Sequence, residues 1–274
     1  LSLVGSEMCI RDSETIDKQK LSFLLVPTSG LVMQEKLPKN ARLFDQAKYI
    51  DQVQKAMKDY NFVDVRDTLM DHNDEYIYYK TDHHWTSAGA CLAYDVWSER
   101  TGGEAETEDG LVKNVVSDKF RGSLYSKILD ADSAYDEIWT YGLQKDDAFG
   151  SKDCTVTIDE KQQLDSIYDD EMLQKKDKYA YFLSGNYGQV HIQNQKAASK
   201  AKGKNILIIK DSFANSFVPF VTQDYENIYM VDLRYYNGDM KSYLQEHNIT
   251  DVLVLYNISN FISDRNLHKL TGGI

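Results

Sequence analysis

Apolar and polar positions follow two different periods along this chain, and the change of period predicts its secondary structure. Runs in which most residues are apolar occur at residues 20–27, 205–210, 227–231 and 251–256, and polar segments follow them. Runs of this kind are typical of strands that are buried on both faces, as in a parallel sheet. Residues 61–65 predict a further, shorter strand of the same type.

Helical patterns separate these strands. Between residues 44 and 60, apolar side chains recur every three or four positions, which predicts an amphipathic helix. Thr86 supplies a capping hydroxyl for a second helix that ends at about residue 99, and residues 240–247 predict a third. The alternation of strands and helices predicts an α/β fold, with a parallel sheet flanked by helices.

The chain between about residues 102 and 200 has a different character. Charged patches are mixed there with short β-like runs at 137–141, 154–158, 179–183 and 188–192. We interpret this segment as a β-containing insertion or cap. With 274 residues, 42% of them hydrophobic, the chain can bury one large core, so we predict a single domain over residues 14–274.

The first 13 residues are set apart from this domain. Residues 7–13, EMCIRDS, resemble the conceptual translation of a sequencing-library adapter. We therefore predict that residues 1–13 are a non-native leader and that the domain is incomplete at its N-terminus.

Charge and cysteine content restrict the partners. The chain carries 31 Lys+Arg against 43 Asp+Glu, a net charge of −12, so nucleic acid is not an expected partner. Its three cysteines, Cys9, Cys91 and Cys154, show no CxxC spacing, which argues against a disulfide framework or a thiolate zinc site. A Cys91–Cys154 disulfide is an alternative to two buried thiols.

The first chemical motif is the pair Asp211-Ser212, which directly follows the predicted strand 205–210 and opens a helix. Functional groups of open α/β sheets collect where strands end at their carboxyl edge. The Ser212 hydroxyl would stand at that edge, as in a nucleophile elbow, although the flanking glycines of GxSxG are absent. The structural alternative is that both residues only cap the helix.

The second motif, TDHHW at residues 81–85, favours catalysis. A serine hydroxyl becomes a good nucleophile when an imidazole takes its proton, and a carboxylate holds that imidazole in the useful tautomer. Asp82 and His84 are two residues apart on predicted extended backbone, so both would face Ser212. His83 would then point to the opposite face and pack. The alternative is a polar loop with one satisfied histidine.

A metal site is the competing chemistry for the same motif. It would use Asp82, His83 and His84, but adjacent histidines on a strand diverge, and the HxH spacing that converges on one ion is lacking. We therefore rank metal binding behind acyl transfer and expect no cofactor.

At these residues the chain resembles the DHHW-motif proteins of bacteria, relatives of the SGNH/GDSL hydrolases that are similar to the alginate O-acetyltransferases of the cell surface. The resemblance covers about residues 21–261 and rests on YYKTDHHWTSAGA, FRGSLYSK, YFLSGNYGQVHI, DSFANSFVPF and VDLRYYN. It implies an SGNH hydrolase-like fold with a triad of Ser212, His84 and Asp82. The chain order of this triad is the reverse of that in GDSL enzymes, which also carry glycine in place of Lys210.

Two further residues are candidates for contacts with the substrate or the oxyanion. Arg234 follows a predicted strand, and Asn186 lies in the SGNYG segment. Each could hold a carbonyl oxygen or a sugar hydroxyl. Their structural alternatives are a salt bridge for Arg234 and a turn for Asn186.

The resemblance implies an extracytoplasmic serine O-acetyltransferase or acetylesterase that acts on a cell-surface or exported polysaccharide. It also implies a membrane anchor in the full-length protein and an acetyl donor that a membrane-bound O-acyltransferase delivers. A non-catalytic carbohydrate-binding or scaffold protein on the same fold is the alternative. A missing triad residue would indicate it, and none is missing.

Overall fold

The computed structural model describes residues 20–103, 110–130, 132–197 and 199–271, so the predicted leader lies outside the described residues. The strands within these ranges are β1 (Leu21–Val26), β2 (Asn61–Val63), β3 (Val112–Phe120), β4 (Asp136–Gly142), β5 (Cys154–Ile158), β6 (Gln162–Leu164), β7 (Gln189–Asn194), β8 (Asn205–Lys210), β9 (Asn227–Val231) and β10 (Asp251–Asn257). Eight of them form one sheet in the order β2-β1-β10-β8-β9-β7-β5-β6, and β3 pairs with β4 separately.

The α-helices of the described residues lie between these strands or follow them. They are α1 (Ser29–Val32), α2 (Gln46–Ala56), α3 (Arg66–Asp71), α4 (Ser87–Thr101), α5 (Ser123–Ile128), α6 (Val218–Val221), α7 (Met240–Glu246) and α8 (Ile258–Ser263). Short 3-10 helices cover Gln34–Lys36, Asp170–Gln174, Lys178–Tyr181, Ser212–Asn215 and Leu267–Thr271. No described helix combines the length and the apolar character that crossing a membrane requires.

The parallel half of the sheet is buried on both faces, as predicted. Strands β2, β1, β10, β8 and β9 run parallel to one another. Successive residues of β8 enter opposite cores: Ile206 and Ile208 belong to the apolar cluster that includes α4, and Leu207 and Ile209 to the cluster that includes α2 and α7. This alternation between two cores explains why the strand is apolar at nearly every position.

The predicted insertion contains strands, but three of them continue the main sheet instead of forming a separate cap. Strand β7 pairs antiparallel with β9, β5 with β7, and β6 with β5. Among the strands of the described residues, only β3 and β4 stand apart, as an antiparallel pair. The extent of the single domain, residues 14–274, stays a prediction.

Two local predictions have different outcomes. The prediction of a strand at residues 179–183 is wrong, because the chain forms the 3-10 helix Lys178–Tyr181 there. The rings of Tyr179, Tyr181 and Phe182 are buried in a third apolar cluster, separate from the two that cover the sheet. A short apolar run does not distinguish a buried strand from a buried turn. Cys91 and Cys154 are both buried, and no disulfide joins them.

Candidate active site

Ser212 lies just past the carboxyl end of β8 and opens the 3-10 helix Ser212–Asn215. The preceding Asp211 is fully buried and receives hydrogen bonds at Oδ2 from the Asn257 backbone N–H at 2.8 Å and from Asn260 Nδ2 at 2.7 Å. Burial raises the pKa of Asp211. Asp211 alone plays the capping role that was the structural alternative for both residues, since its Oδ1 accepts a hydrogen bond from the Phe213 backbone N–H at 2.9 Å. The Ser212 hydroxyl is thus available for other contacts.

The structure brings the three predicted triad residues together. His84 Nε2 lies 2.7 Å from Ser212 Oγ, and His84 Nδ1 lies 2.5 Å from Asp82 Oδ1. Each of the three residues is at most 7% exposed. A serine hydroxyl, an imidazole and a carboxylate therefore form one continuous chain of hydrogen bonds in a largely water-excluded position.

A tight bend, and not the predicted extended segment, makes this geometry. Around residues 75–86 the chain folds back on itself, with a single bridge between Tyr78 and Trp85. Within the bend, the His84 backbone N–H donates to Asp82 Oδ1 at 3.0 Å. Asp82 and His84 thus meet because an aspartate side chain closes a turn on its own backbone, and not because alternate residues of a strand share a face.

The bend also corrects the prediction for His83. Its ring does not point to the opposite face but lies 3.9 Å from the His84 ring, centroid to centroid. Its side chain is 44% exposed, and Nδ1 lies 2.7 Å from Ser123 Oγ and 3.5 Å from Asp82 Oδ1. Partial burial, together with the neighbouring imidazole of His84, lowers the pKa of His83 to about 4. At neutral pH, His83 is therefore a neutral, half-exposed group beside the triad.

Potential metal ligands consequently converge more than the sequence predicted. One ligand atom each from Asp82, His83 and His84 lies within 4.8 Å of the others. However, His84 Nδ1 and Asp82 Oδ1 are 2.5 Å apart. Two such ligands at about 2.1 Å from a tetrahedral zinc ion would be separated by about 3.4 Å. The observed spacing is that of a hydrogen bond.

Asp82 is held on its other side by the start of α5. Its Oδ2 accepts a hydrogen bond from the Ser123 backbone N–H at 2.7 Å. Burial opposes the ionisation of Asp82, but the hydrogen bond from His84 and the charges of both neighbouring histidines outweigh burial and hold its pKa below the usual range. The carboxylate is thus ionised at neutral pH, as the orienting member of a triad must be.

The two remaining candidates are connected to this chain of hydrogen bonds indirectly. Asn186 is exposed, and its Oδ1 accepts from Lys210 Nζ at 2.8 Å. Arg234 makes the salt bridge given as its structural alternative, with Nε and Nη2 at 2.9 and 2.6 Å from the two carboxylate oxygens of buried Asp232. Its charge still reaches the site, since it contributes to the lowered pKa of His83.

The family of the chain follows from its sequence. The profile of the DHHW protein family matches residues 30–231, about three quarters of the chain. The chain belongs to the DHHW protein family. No curated protein sequence matches it significantly.

Solved structures resemble this DHHW protein over almost its whole length. A DHHW family protein from Eubacterium siraeum superposes with a TM-score of 0.82 at 22% identity, covering 100% of this chain and 88% of its own. Bacillus cereus PatB1 carrying a sulfonyl adduct gives 0.73 at 21%, with 98% and 89% covered. The O-acetyltransferase domain of Pseudomonas putida AlgJ gives 0.52 at 12%, with 99% and 82% covered. At these identities the likeness shows the fold, and it confirms the predicted SGNH hydrolase-like α/β architecture.

Sequence reasoning missed one aromatic residue of the site in the DHHW protein. The Tyr179 ring stacks on the His84 ring at 3.8 Å with an angle of 8° between their planes. Its hydroxyl donates to the Ser212 carbonyl oxygen at 3.0 Å and lies 3.1 Å from Ser216 Oγ. Tyr179 thus fixes the plane of the imidazole. Nothing in the sequence separates it from the other 18 tyrosines.

The tryptophan of the DHHW motif joins the two chemical motifs. Trp85 is fully buried, and its indole N–H lies 3.0 Å both from the Phe213 carbonyl oxygen and from Ser216 Oγ. Its partners belong to the DSFANS segment that begins beside Ser212. One side chain therefore sets the distance between the loop of the base and the turn of the nucleophile.

The Asp82 side chain packs so closely against Gly122 that only glycine fits at this position. A Cβ on this residue would lie 2.3 Å from Asp82 Oδ2 and 2.4 Å from Asp82 Cβ, so Gly122→Ala must displace Asp82. We expect kcat for an acetyl ester to fall by about 10²-fold, because misplacement of a catalytic group by about 1 Å has this effect. Gly203→Ala is the control for a general loss of stability: its φ of 74° makes an alanine strained there, but its Cβ would meet nothing within 4 Å, so kcat of the folded protein should not change. An unchanged kcat in folded Gly122→Ala would contradict this account.

Proposed function

We propose that this DHHW protein is a serine O-acetyltransferase or acetylesterase in which Ser212 is the nucleophile. The observation that carries this proposal is the unbroken chain from Ser212 Oγ through both nitrogens of His84 to Asp82, with separations of 2.7 and 2.5 Å. Such a chain serves to remove a proton from a hydroxyl during attack on an acyl carbon.

The reaction follows from the geometry. Ser212 Oγ attacks the acetyl carbonyl carbon while its proton passes to His84 Nε2, and Asp82 stabilises the imidazolium that results. When the tetrahedral intermediate collapses, the bond to the leaving oxygen breaks and His84 protonates that oxygen. The acetyl group is then an ester of Ser212. A sugar hydroxyl or water repeats the sequence in reverse, which gives transfer or hydrolysis respectively.

The oxyanion of the tetrahedral intermediate needs hydrogen-bond donors. The Ser212 backbone N–H is one candidate, since the first amides of a helix have no intrahelical acceptor. We assign Asn186 Nδ2 as the second, since the carbonyl end of this amide is occupied by Lys210. Arg234 remains a candidate for contacts with the substrate through the part of its guanidinium that Asp232 does not occupy.

The structural relatives support the same chemistry. PatB1 has been solved with a sulfonyl adduct, and sulfonylation is a reaction of activated nucleophiles. The AlgJ domain is an O-acetyltransferase. We therefore propose that the acceptor is a cell-surface or exported polysaccharide, that the protein acts outside the cytoplasm, and that a membrane-bound O-acyltransferase delivers the acetyl group.

The test is direct detection of the acetyl-enzyme. The purified protein is mixed with p-nitrophenyl acetate, quenched in acid and analysed by intact mass and peptide mapping. We expect one acetyl group on the peptide that contains Ser212, and we expect pretreatment with methanesulfonyl fluoride to block it. The His84→Ala protein should remain unlabelled. Absence of acetylation in a folded wild-type protein would overturn the proposal and favour a carbohydrate-binding or scaffold protein.

A further inference from the structure

Lys210, two residues before the nucleophile, is a buried cation in an unusual setting. It is 1% exposed, and no carboxylate of the described residues lies within ion-pair distance of its ammonium. Buried charges are costly unless they are paired, so stability alone does not explain a lysine here. Residues that break such a rule are concentrated at functional sites.

The ammonium instead contacts two side-chain amides. Lys210 Nζ donates to Asn186 Oδ1 at 2.8 Å and to Asn215 Oδ1 at 2.7 Å. Asn215 Nδ2 donates in turn to the Gly185 carbonyl oxygen at 3.2 Å and to Asn186 Oδ1 at 3.3 Å. Asn186 Oδ1 therefore accepts two hydrogen bonds. The one from the charged Lys210 ammonium is the stronger, because hydrogen bonds from ionised donors are stronger than neutral ones.

This arrangement determines which end of the Asn186 amide is available. If the amide were rotated by half a turn, its NH₂ group would face the ammonium and the NH₂ of Asn215, so that donors would meet donors. The charge of Lys210 excludes that orientation. Asn186 Nδ2 is thereby directed away from the lysine, and it donates to no acceptor among the residues that the structure describes.

The loop that carries Asn186 needs such support. Leu183, Ser184 and Gly185 have φ values of 62°, 58° and 126°, three successive residues in a backbone region that is unfavourable for the first two. The contacts from Lys210 and Asn215 connect this loop to the two ends of the segment that contains Ser212. They therefore hold the Asn186 amide at a set position relative to the nucleophile.

We propose that Lys210 is a positioning residue, whose ammonium orients the Asn186 amide so that its Nδ2 faces the oxyanion formed on the acyl group at Ser212. This inference rests on the proposed function. Lys210 itself touches no reacting atom in this scheme, and its whole effect passes through Asn186.

A double-mutant cycle tests the proposal. Lys210→Met keeps the length of the side chain but removes the charge, and we expect kcat for p-nitrophenyl acetate to fall by about 10²-fold, the usual effect of losing one oxyanion donor. Asn186→Ala should show a similar fall, and the double variant should fall no further. KM should change little in all three. Lys113→Met, which removes a half-exposed lysine paired with Glu137, is the control.

The pH dependence supplies a second readout that a purely structural lysine would not produce. Burial lowers the pKa of Lys210 to about 8, while Asp232 and Asp211 raise it and Arg234 lowers it further. The ammonium is thus charged below about pH 8 and lost above it, so kcat of the wild type should decline through this range. Asn186→Ala should lack this decline, since it has no amide to orient. This comparison requires no lysine variant and holds even if Lys210→Met does not fold.

The outcomes separate the two proposals. Full additivity in the cycle, or an unchanged kcat in folded Lys210→Met, would overturn the role of Lys210 while leaving the acetyl-enzyme in place. A wild-type protein that forms no acetyl-enzyme would instead overturn the proposed function itself.

Discussion

Ser212→Ala and His84→Ala will each reduce turnover of p-nitrophenyl acetate by about 10⁴-fold or more, because residues that act as one catalytic unit lose nearly everything when one is removed. Ser212 supplies the oxygen that forms the acetyl ester, and His84 Nε2, 2.7 Å away, is the group positioned to take its proton. The double variant should be no slower than either single one. Initial rates of nitrophenolate release over a range of substrate concentrations give the comparison.

His83→Ala is the matched control, since it removes the adjacent imidazole from the same bend. The His83 ring contacts His84 and Ser123 Oγ but lies outside the chain of hydrogen bonds between Asp82 and Ser212. We expect kcat to change by less than about tenfold, because no proton of the reaction passes through this ring. Similar losses in His83→Ala and His84→Ala would point to a joint role of both imidazoles, as in metal binding, and dialysis against a chelator would then decide between the two chemistries.

The sequence predicted the bounds of several strands of the main sheet closely. The strands expected at 154–158, 205–210 and 227–231 have the observed bounds of β5, β8 and β9. For β8 and β9 this succeeds because strands covered on both faces are apolar at nearly every position, a pattern that depends little on the rest of the chain. The proximity of Asp82, His84 and Ser212 was also predicted, from the chemical demands of a serine nucleophile.

What the sequence did not predict depends on contacts between distant segments. The bend that joins Asp82 to His84 is closed by a side chain on its own backbone, so its residues show no strand or helix period. Tyr179 reaches His84 from a segment about 95 positions away, and Asn186 reaches Lys210 from 24 positions away. Such pairs carry no local signal. The continuation of the sheet by β7 likewise depends on its pairing with β9, which apolar periodicity alone does not specify.

Asp82→Asn will reduce kcat by about 10⁴-fold with little change in the fold, because the amide cannot satisfy all the donors that meet the carboxylate. Oδ1 lies 2.5 Å from His84 Nδ1 and accepts the His84 backbone N–H at 3.0 Å, while Oδ2 accepts the Ser123 N–H at 2.7 Å. An asparagine NH₂ directed toward His84 favours the tautomer with its proton on Nε2, which cannot accept the proton of Ser212. An NH₂ directed toward Ser123 places two donors against each other.

The pH dependence of stability distinguishes this carboxylate from a neutral spacer. The pKa of Asp82 is held below its usual range in the folded protein, so its contribution to stability is fully present above the pKa of an unfolded aspartate, about 3.9, and is lost as the pH falls through the lower folded value. The thermal midpoint of the wild type should therefore drop more steeply than that of Asp82→Asn between about pH 4 and about pH 2, the range that begins at the unfolded pKa of about 3.9 and extends below it. Parallel curves for the two proteins would show that the ionised Asp82 carboxylate does not stabilise the folded state. An Asp82→Asn variant with near wild-type kcat would show that Asp82 does not orient His84.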